Sequence, residues 1–347
     1  MSIPETAKEI HLVDYPKGKP TADIYEVVDA PVREPGEGEI LMRVVFMSVD
    51  PYMRGRMNPH VKSYIPPFQK GEVLDGGAVG QVIKSNSEKF AEGDYVVGYN
   101  GGWREYYTGP TDGFNKVDPS LAPLSAYLGV LGMPGFTAWA GMSQILEPKE
   151  GDVLFVSGAA GAVGSMVGQL GKIKGCKVIG SAGSAEKCDW LTGELGFDVA
   201  LNYKDYANST ELTKALSEAA GKGGVNCYFE NVGGMHLEAA INCIAFGGRI
   251  ALCGMISNYN DTKPEPGPYN LTNLIGRGVK MQGYIVSNFM HLARDFYAEV
   301  GPMLAGGKIH FRETVYEGLE KAPEAFNGLF EGANTGKAVV RVGPDKA

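Results

Sequence analysis

Apolar positions change rhythm once along this chain and change back near its end. Over residues 8 to about 118 they gather into short stretches, IHLV, YEVV, EILMRVVFMSV, GGAVGQVIKS, DYVVGY and WREYYT, separated by turn residues. Helical spacing is scarce there, which predicts a β-rich, barrel-like unit. From about residue 124 apolar runs alternate with helix-length segments. The runs are DVLFVS, KVIGSA, DVALNY, VNCYFENV, RIALCGM and VKMQGYIV, with stretches such as AVGSMVGQLGKIKG and SAEKCDWLTGELG between them. Strands buried on both faces read as continuous apolar runs, and the helices between them are the crossovers of a parallel sheet. After about 307 strand texture returns in FRETVYEG, followed by a helix over APEAFNGLFEG and a last strand, KAVVRV. The fold class is α/β. The β-rich domain takes residues 1–129 and 308–347, and the parallel-sheet domain takes 130–307.

Composition narrows the partners. A length of 347 residues fits two domains, and the 44% hydrophobic content supplies both cores. The net charge of −8 repels phosphate backbones, so nucleic acid is not an expected partner. Two long uncharged stretches, 120–146 and 153–171, are broken by glycine and proline and offer no bilayer span. The opening MSIPETAKEI lacks the basic and apolar regions of a signal peptide, which predicts a cytoplasmic protein with no membrane partner. The five cysteines, Cys176, Cys188, Cys227, Cys243 and Cys253, are too far apart for a zinc knuckle or a redox pair and read as free thiols. His11, His60, His236, His291 and His310 are scattered, so no metal is expected.

The chemistry begins at the first run of the second domain. DVLFVS leads into Ser157-Gly158-Ala159-Ala160-Gly161-Ala162-Val163-Gly164 and then a helix. Gly161 lets backbone approach a pyrophosphate, Gly164 lets the helix pack close on the strand, and the helix N-terminus supplies N–H groups for the phosphates. Ala159 stands where the usual fingerprint has its first glycine. A glycine turn after the first of six alternating strands is the mark of a Rossmann dinucleotide site. Its second strand ends in Ser181-Ala182-Gly183-Ser184, where an NAD site places a carboxylate. Ser184 and Lys187 offer a hydroxyl and an ammonium to a 2′-phosphate instead, provided Glu186 faces solvent. The expected cofactor is NADP(H).

Motifs in order along nearly the whole chain resemble one family. They are Val49-Asp50-Pro51-Tyr52-Met53-Arg54, Gly132-Met133-Pro134-Gly135-Phe136-Thr137-Ala138, Gly158 to Gly164, and Ala182-Gly183-Ser184-Ala185-Glu186-Lys187. Leu195-Gly196-Phe197-Asp198, Glu230-Asn231-Val232-Gly233-Gly234 and Ser257-Asn258-Tyr259-Asn260 follow. The chain resembles the zinc-independent medium-chain dehydrogenase/reductases, and among them the alkenal/one oxidoreductases, which include the leukotriene B4 dehydrogenase/prostaglandin reductases. Its nearest likeness is to the bacterial curcumin-reductase branch. Where zinc dehydrogenases carry a Gly-His-Glu element, this chain has Gly71-Glu72-Val73-Leu74-Asp75-Gly76, without a histidine.

The resemblance implies a GroES-like β-domain, a Rossmann domain and a homodimer. It implies that Gly161, Ala162, Val163 and Gly164 line the pyrophosphate and that Lys187 and Tyr203, beside Ser184, hold the 2′-phosphate. Asn231 after the fourth strand, Cys253, Gly254, Ser257 and Tyr259 after the fifth, and Tyr284, Ile285 and Val286 at the sixth complete the cofactor set, with Asn334 closing over the nicotinamide. The implied reaction is 1,4-reduction of an α,β-unsaturated ketone or aldehyde by NADPH. Tyr259 is the candidate donor to the developing enolate, since a phenol donates without a metal. Tyr52 and Arg56 are candidate substrate contacts, and the proline-rich loop 261–269 a substrate wall. Two alternatives share the cofactor residues: an NADPH-dependent quinone reductase and a non-catalytic NADPH-binding protein.

Overall fold

A computed structural model describes residues 3–344, so the first two and last three residues of the expected domain spans lie outside it. The chain divides into two compact units, one of residues up to Gly129 with Glu313–Asn334 and the chain from Ala338, the other of Val130–Arg312 with Thr335–Lys337. Residues 308–312 cluster with the second unit.

The first unit starts with an antiparallel pair, β1 (Thr6–Leu12) and β2 (Tyr25–Pro31). Its main sheet is built on β3 (Glu39–Ser48), whose apolar run is buried almost throughout because it is covered on both faces. A short helix, α1 (Met53–Arg56), follows it. Then come β4 (Ala78–Ser85), β5 (Tyr95–Gly98), β6 (Tyr106–Pro110) and β7 (Asn115–Val117). Strands β4 and β6 pair antiparallel with β3, and two register shifts bend the β3–β4 ladder into the curvature a barrel needs. The core is aromatic at its centre: Trp103 stacks on Tyr25 at 5.9 Å and meets Phe326 edge-on at 6.2 Å.

The second unit opens with α2 (Met133–Ala140), which widens into a π-helical turn over Gly141–Leu146. A Cβ at Gly141 would lie 2.5 Å from Tyr284 Oη and 2.6 Å from Phe229, so glycine lets this helix lie close on the sheet. Strands and helices then alternate as β8 (Val153–Val156), α3 (Ala162–Ile173), β9 (Lys177–Ala182), α4 (Ala185–Gly193), β10 (Val199–Asn202) and α5 (Ser209–Ala220). The series continues with β11 (Val225–Glu230), α6 (Gly234–Cys243), β12 (Ile244–Leu252), α7 (Thr272–Arg277), β13 (Lys280–Gly283) and α8 (Ala293–Ala305). The six strands are parallel in the order β10-β9-β8-β11-β12-β13, the doubly wound order 3-2-1-4-5-6 of a Rossmann sheet.

Local chemistry explains the helices. Asn208 caps α5 by accepting from the backbone N–H of Thr210 and Glu211, and Leu212, Leu216 and Ala220 form its buried stripe. The carbonyls at the end of α6 are satisfied from another element, because the Arg277 guanidinium donates to Ile241, Asn242 and Ile244 at 2.8–3.1 Å.

The chain finally adds β14 (Glu313–Glu317), α9 (Ala322–Gly328) and β15 (Lys337–Arg341), with β15 antiparallel to β3. Two details depart from the hydropathy pattern. Strand β7 is three residues long with one buried side chain, too short and polar to announce itself, and β12 starts five residues ahead of the apolar run RIALCGM. Among the described residues no helix is long and apolar enough to cross a membrane.

Candidate active site

The glycine-rich segment is the turn between β8 and α3. The Ala159 N–H donates to the Ser181 carbonyl, and the Gly161 N–H donates to that of Gly158, which folds the turn back on itself. A Cβ on Gly164 would lie 2.4 Å from the Gly158 carbonyl oxygen and 2.7 Å from Ala159 Cα, so only glycine lets α3 begin this close to the strand. Gly161 is the N-cap, and the first turn of α3 carries no acidic residue. Its leading N–H groups, from Ala162, Val163 and Gly164, have no acceptor within the helix. This is an anion-binding end lined by backbone.

The second strand ends at Ala182, and Ser184 caps α4 by accepting from the Lys187 N–H at 3.3 Å. Burial and the nearby Lys204 ammonium lower the Lys187 pKa below its ordinary value, a balance that a phosphate would reverse. Glu186 is exposed. Tyr203 follows β10, its ring edge-on to His236 at 5.1 Å. A Cβ on Gly183 would approach that ring to 3.0 Å. His236, the third residue of α6, is hydrogen-bonded through Nε2 to Ser181 Oγ at 2.8 Å, and burial pulls its pKa down to about 4.

The ends of β11 and β12 are tied together. Asn231 donates its backbone N–H to Ser157 Oγ at 2.9 Å and its side-chain amide to the Ser157 carbonyl at 2.7 Å. The N–H groups of Cys253 and Gly254 both donate to the Glu230 carbonyl, and the Ser257 hydroxyl donates to that of Val232. Cys253 stays a thiol, since burial lifts its pKa to about 12. Tyr259 is half-buried, and burial raises its pKa above the ordinary phenol value. Its oxygen accepts the Met255 N–H at 3.4 Å, while its own hydrogen has no acceptor among the described residues. At the end of β13 the Tyr284 hydroxyl donates to the Thr137 carbonyl at 2.8 Å, with Ile285 and Val286 following half-buried. These residues therefore stand at the C-terminal ends of one parallel sheet, the ligand-binding side of a doubly wound fold.

The remaining candidates belong to the first unit. Tyr52 precedes α1, and burial, with the Asp50 carboxylate beside it, raises its pKa far above that of a free phenol. Arg56 is buried. Its guanidinium forms a bidentate pair with Asp75, donates from Nε to the Pro66 carbonyl at 2.9 Å and lies 3.9 Å over the Phe68 ring. Asn334 is half-buried, just before the segment Thr335–Lys337. Among the described residues no group of three or more His, Cys, Asp or Glu side chains is placed to hold a metal ion.

Ser157, Glu230 and His236, which tie the strand ends of the parallel sheet together, carry no site motif of their own in the sequence. The signal for two of them was a polar residue closing an apolar strand run, Ser157 after VLFV and Glu230 after VNCYF.

A Rossmann sheet joined to a β-rich unit from both chain ends defines a medium-chain dehydrogenase/reductase. The family model described as N-terminal domain of oxidoreductase matches residues 8–117, and that described as zinc-binding dehydrogenase matches 162–305. The chain is 42% identical over 339 residues to an NADPH-dependent curcumin reductase of Escherichia coli, covering 96% of both chains. It is 42% identical to a 2-alkenal reductase (NADP(+)-dependent) of Nicotiana tabacum, covering 96% of this chain and 97% of the other. The crystal structure of CurA from Vibrio vulnificus in complex with NADPH superposes with a TM-score of 0.90 at 43% identity, covering 97% of this chain and all of that one. The chain belongs to the alkenal/one oxidoreductase family, alongside the curcumin and alkenal reductases.

Proposed function

We propose that this protein is an NADPH-dependent reductase of the carbon–carbon double bond in α,β-unsaturated ketones and aldehydes. The residues fit the cofactor, because the turn before α3 presents the N-terminal backbone N–H groups of a helix whose first turn carries no acidic residue. The N–H groups of Ala162, Val163 and Gly164 would hold the pyrophosphate. Ser184, Lys187 and Tyr203 would hold the 2′-phosphate. Asn231, Cys253, Gly254, Ser257 and Tyr284 to Val286 would line the nicotinamide half, and Asn334 joins them by family likeness. When bound, NADPH supplies a hydride to the β-carbon of the substrate.

The observation that carries the reading is the Tyr259 phenol. Its oxygen is held by the Met255 N–H, its proton is retained because burial raises its pKa, and that hydrogen has no partner among the described residues. Such a donor binds a carbonyl oxygen more strongly as it gains enolate charge, which lowers the barrier without a metal. Tyr52, held protonated, serves as a substrate contact rather than a base. Arg56 is left out of the substrate set, because its donors are directed to Asp75 and Pro66.

We place the protein in the cytoplasm, where its five free cysteines stay reduced. We also infer a homodimer through β13, the edge strand at one end of the parallel sheet. An unpaired strand edge is a template for pairing with a second copy.

The test is NADPH consumption by purified protein with a long-chain 2-alkenal, with curcumin and with a simple quinone, with NADH in parallel. Enone-dependent, NADPH-specific turnover that yields the saturated carbonyl is expected. Turnover with the quinone alone would make it a quinone reductase, and binding without turnover on any acceptor would overturn the enzyme reading. Light scattering on the eluting protein reads the dimer.

A further inference from the structure

Glu230 is a carboxylate with no exposed surface, at the end of an apolar strand, and the reaction gives it no task. Burying such a group is costly unless its hydrogen bonds are made. One oxygen makes three: Oε1 accepts from Ser157 Oγ at 2.8 Å, from the Val232 N–H at 2.6 Å and from the Gly233 N–H at 2.8 Å. The other, Oε2, is buried with no partner among the described residues. Ser157 Oγ is itself saturated, since it accepts from Tyr228 Oη at 3.1 Å and from the Asn231 N–H at 2.9 Å while donating to Glu230. A packed apolar side chain would fill this space at less cost, so the carboxylate must do something that packing alone does not.

Its three bonds join two chain segments. Ser157 is the last residue before the glycine-rich turn, and Val232 and Gly233 form the turn into α6, where Gly233 and Gly234 take φ values of +82° and +52°. The carbonyl of the same residue holds the N–H groups of Cys253 and Gly254, which brings in a third loop. One residue therefore sets the spacing of the loops that follow β8, β11 and β12. We propose that Glu230 is a positioning residue for NADPH, whose side-chain oxygen locks the turn after β11 to the strand end that launches the phosphate-binding turn. The proposal rests on the reading that these turns carry the cofactor.

A positioning acceptor and a merely structural one differ in what their loss changes. Glu230→Leu removes the acceptor, Glu230→Gln keeps an oxygen for the same three donors, and Ser157→Ala removes the one side-chain donor that reaches across. Loss of a bond to a charged group corresponds to about a tenfold or larger change, so the NADPH dissociation constant of Glu230→Leu should rise by at least about tenfold. Ser157→Ala should rise about threefold to tenfold, and Glu230→Gln should stay within about threefold of the parent. The enone KM at saturating NADPH should be unchanged in all three, and melting without cofactor is measured separately. Should Glu230→Leu not fold, Ser157→Ala and Glu230→Gln carry the test. Parent-like NADPH affinity in Ser157→Ala or in folded Glu230→Leu overturns the proposal. So does a Glu230→Gln variant as impaired as Glu230→Leu, or as Ser157→Ala where Glu230→Leu does not fold, since acceptor geometry would then not be what matters. Lys187→Ala separates the two levels. If it weakens NADPH binding while these variants do not, only the positioning role fails. If it leaves NADPH binding intact as well, the placement of the cofactor on these turns fails with it.

Discussion

The backbone N–H of Met255 donates to the phenolic oxygen of Tyr259 across 3.4 Å, four residues further along the chain. A phenol that accepts from its own loop keeps a fixed oxygen position and has its hydrogen directed elsewhere. That suits a donor to an enolate, whose charge appears only as the reaction proceeds. Tyr259→Phe should leave NADPH binding within a few tenths of a kcal/mol and lower kcat about 10²–10³-fold, the usual cost of one oxyanion donor. Steady-state kinetics with a 2-alkenal reads this directly. A fall in kcat/KM through KM alone would make Tyr259 a binding residue.

Lys187 is part-buried beside Lys204, and burial and that like charge lower its pKa against the opposing charge of Glu186. A 2′-phosphate relieves both conditions. Lys187→Ala should raise the NADPH KM about tenfold to a hundredfold, the value of one charge-assisted hydrogen bond, and leave the NADH KM unchanged. Equal effects on the two cofactors would remove Lys187 from the 2′-phosphate site.

Much of this arrangement was readable from the chain because it depends on local signals. The six Rossmann runs lie on β8 to β13, and the glycine turn lies between β8 and α3, since continuous apolar runs and a strand–glycine–helix junction are written in adjacent residues. What could not be read are the pairings across distance. Arg56 invites a substrate role in the sequence, where its pairing with Asp75, nineteen residues on, cannot be seen. Arg277 looks like a surface charge, yet it caps the end of α6. The helix over 133–146 is buried nearly all round and so leaves no amphipathic period to detect. Glu230 reads as an odd polar residue in a strand, and only the fold reveals that three donors converge on one of its oxygens.

Gly164 tests the phosphate turn without touching any charge. The atoms that a Cβ would meet are backbone, the Gly158 carbonyl oxygen and Ala159 Cα, and neither can swing away as a side-chain end can. Gly164→Ala should destabilise the fold by about 1–3 kcal/mol and weaken NADPH binding as the turn is displaced. Chemical denaturation together with cofactor titration measures both effects. An alanine variant with parental stability would mean that the turn yields more easily than its backbone contacts imply.

Arg56 and Asp75 make a prediction opposite in kind to that for Tyr259. The arginine is buried, and Asp75 retains about a third of its side-chain exposure, 35%. Removing one partner leaves the other poorly solvated, so Arg56→Ala should destabilise the fold by about 2–4 kcal/mol, the lower end allowing for solvent at Asp75. The enone KM of the variant that remains folded should stay near the parent value. A variant of parental stability with a raised KM for acidic substrates would restore the substrate role that the sequence first suggested.

His236 gives the fold an acid-sensitive element with a defined window. In the unfolded chain its imidazole titrates near the ordinary 6.5, whereas in the folded chain burial lowers it to about 4, with Ser181 Oγ on Nε2 and the Tyr203 ring roughly perpendicular at 5.1 Å. Above pH 6.5 the ring is neutral in both states and costs nothing. Between 6.5 and about 4 the unfolded chain takes up the proton first, so stability falls as pH falls through that window. The loss reaches about 3 kcal/mol at most, from the size of the shift. His236→Gln cannot titrate there and has an amide to offer Ser181, so its stability should decline less steeply over the same range. Urea midpoints for the two proteins at pH 7, 5.5 and 4.5 decide it. Parallel declines would mean that His236 titrates normally in the folded chain, and that its contact with Ser181 does not require the neutral ring.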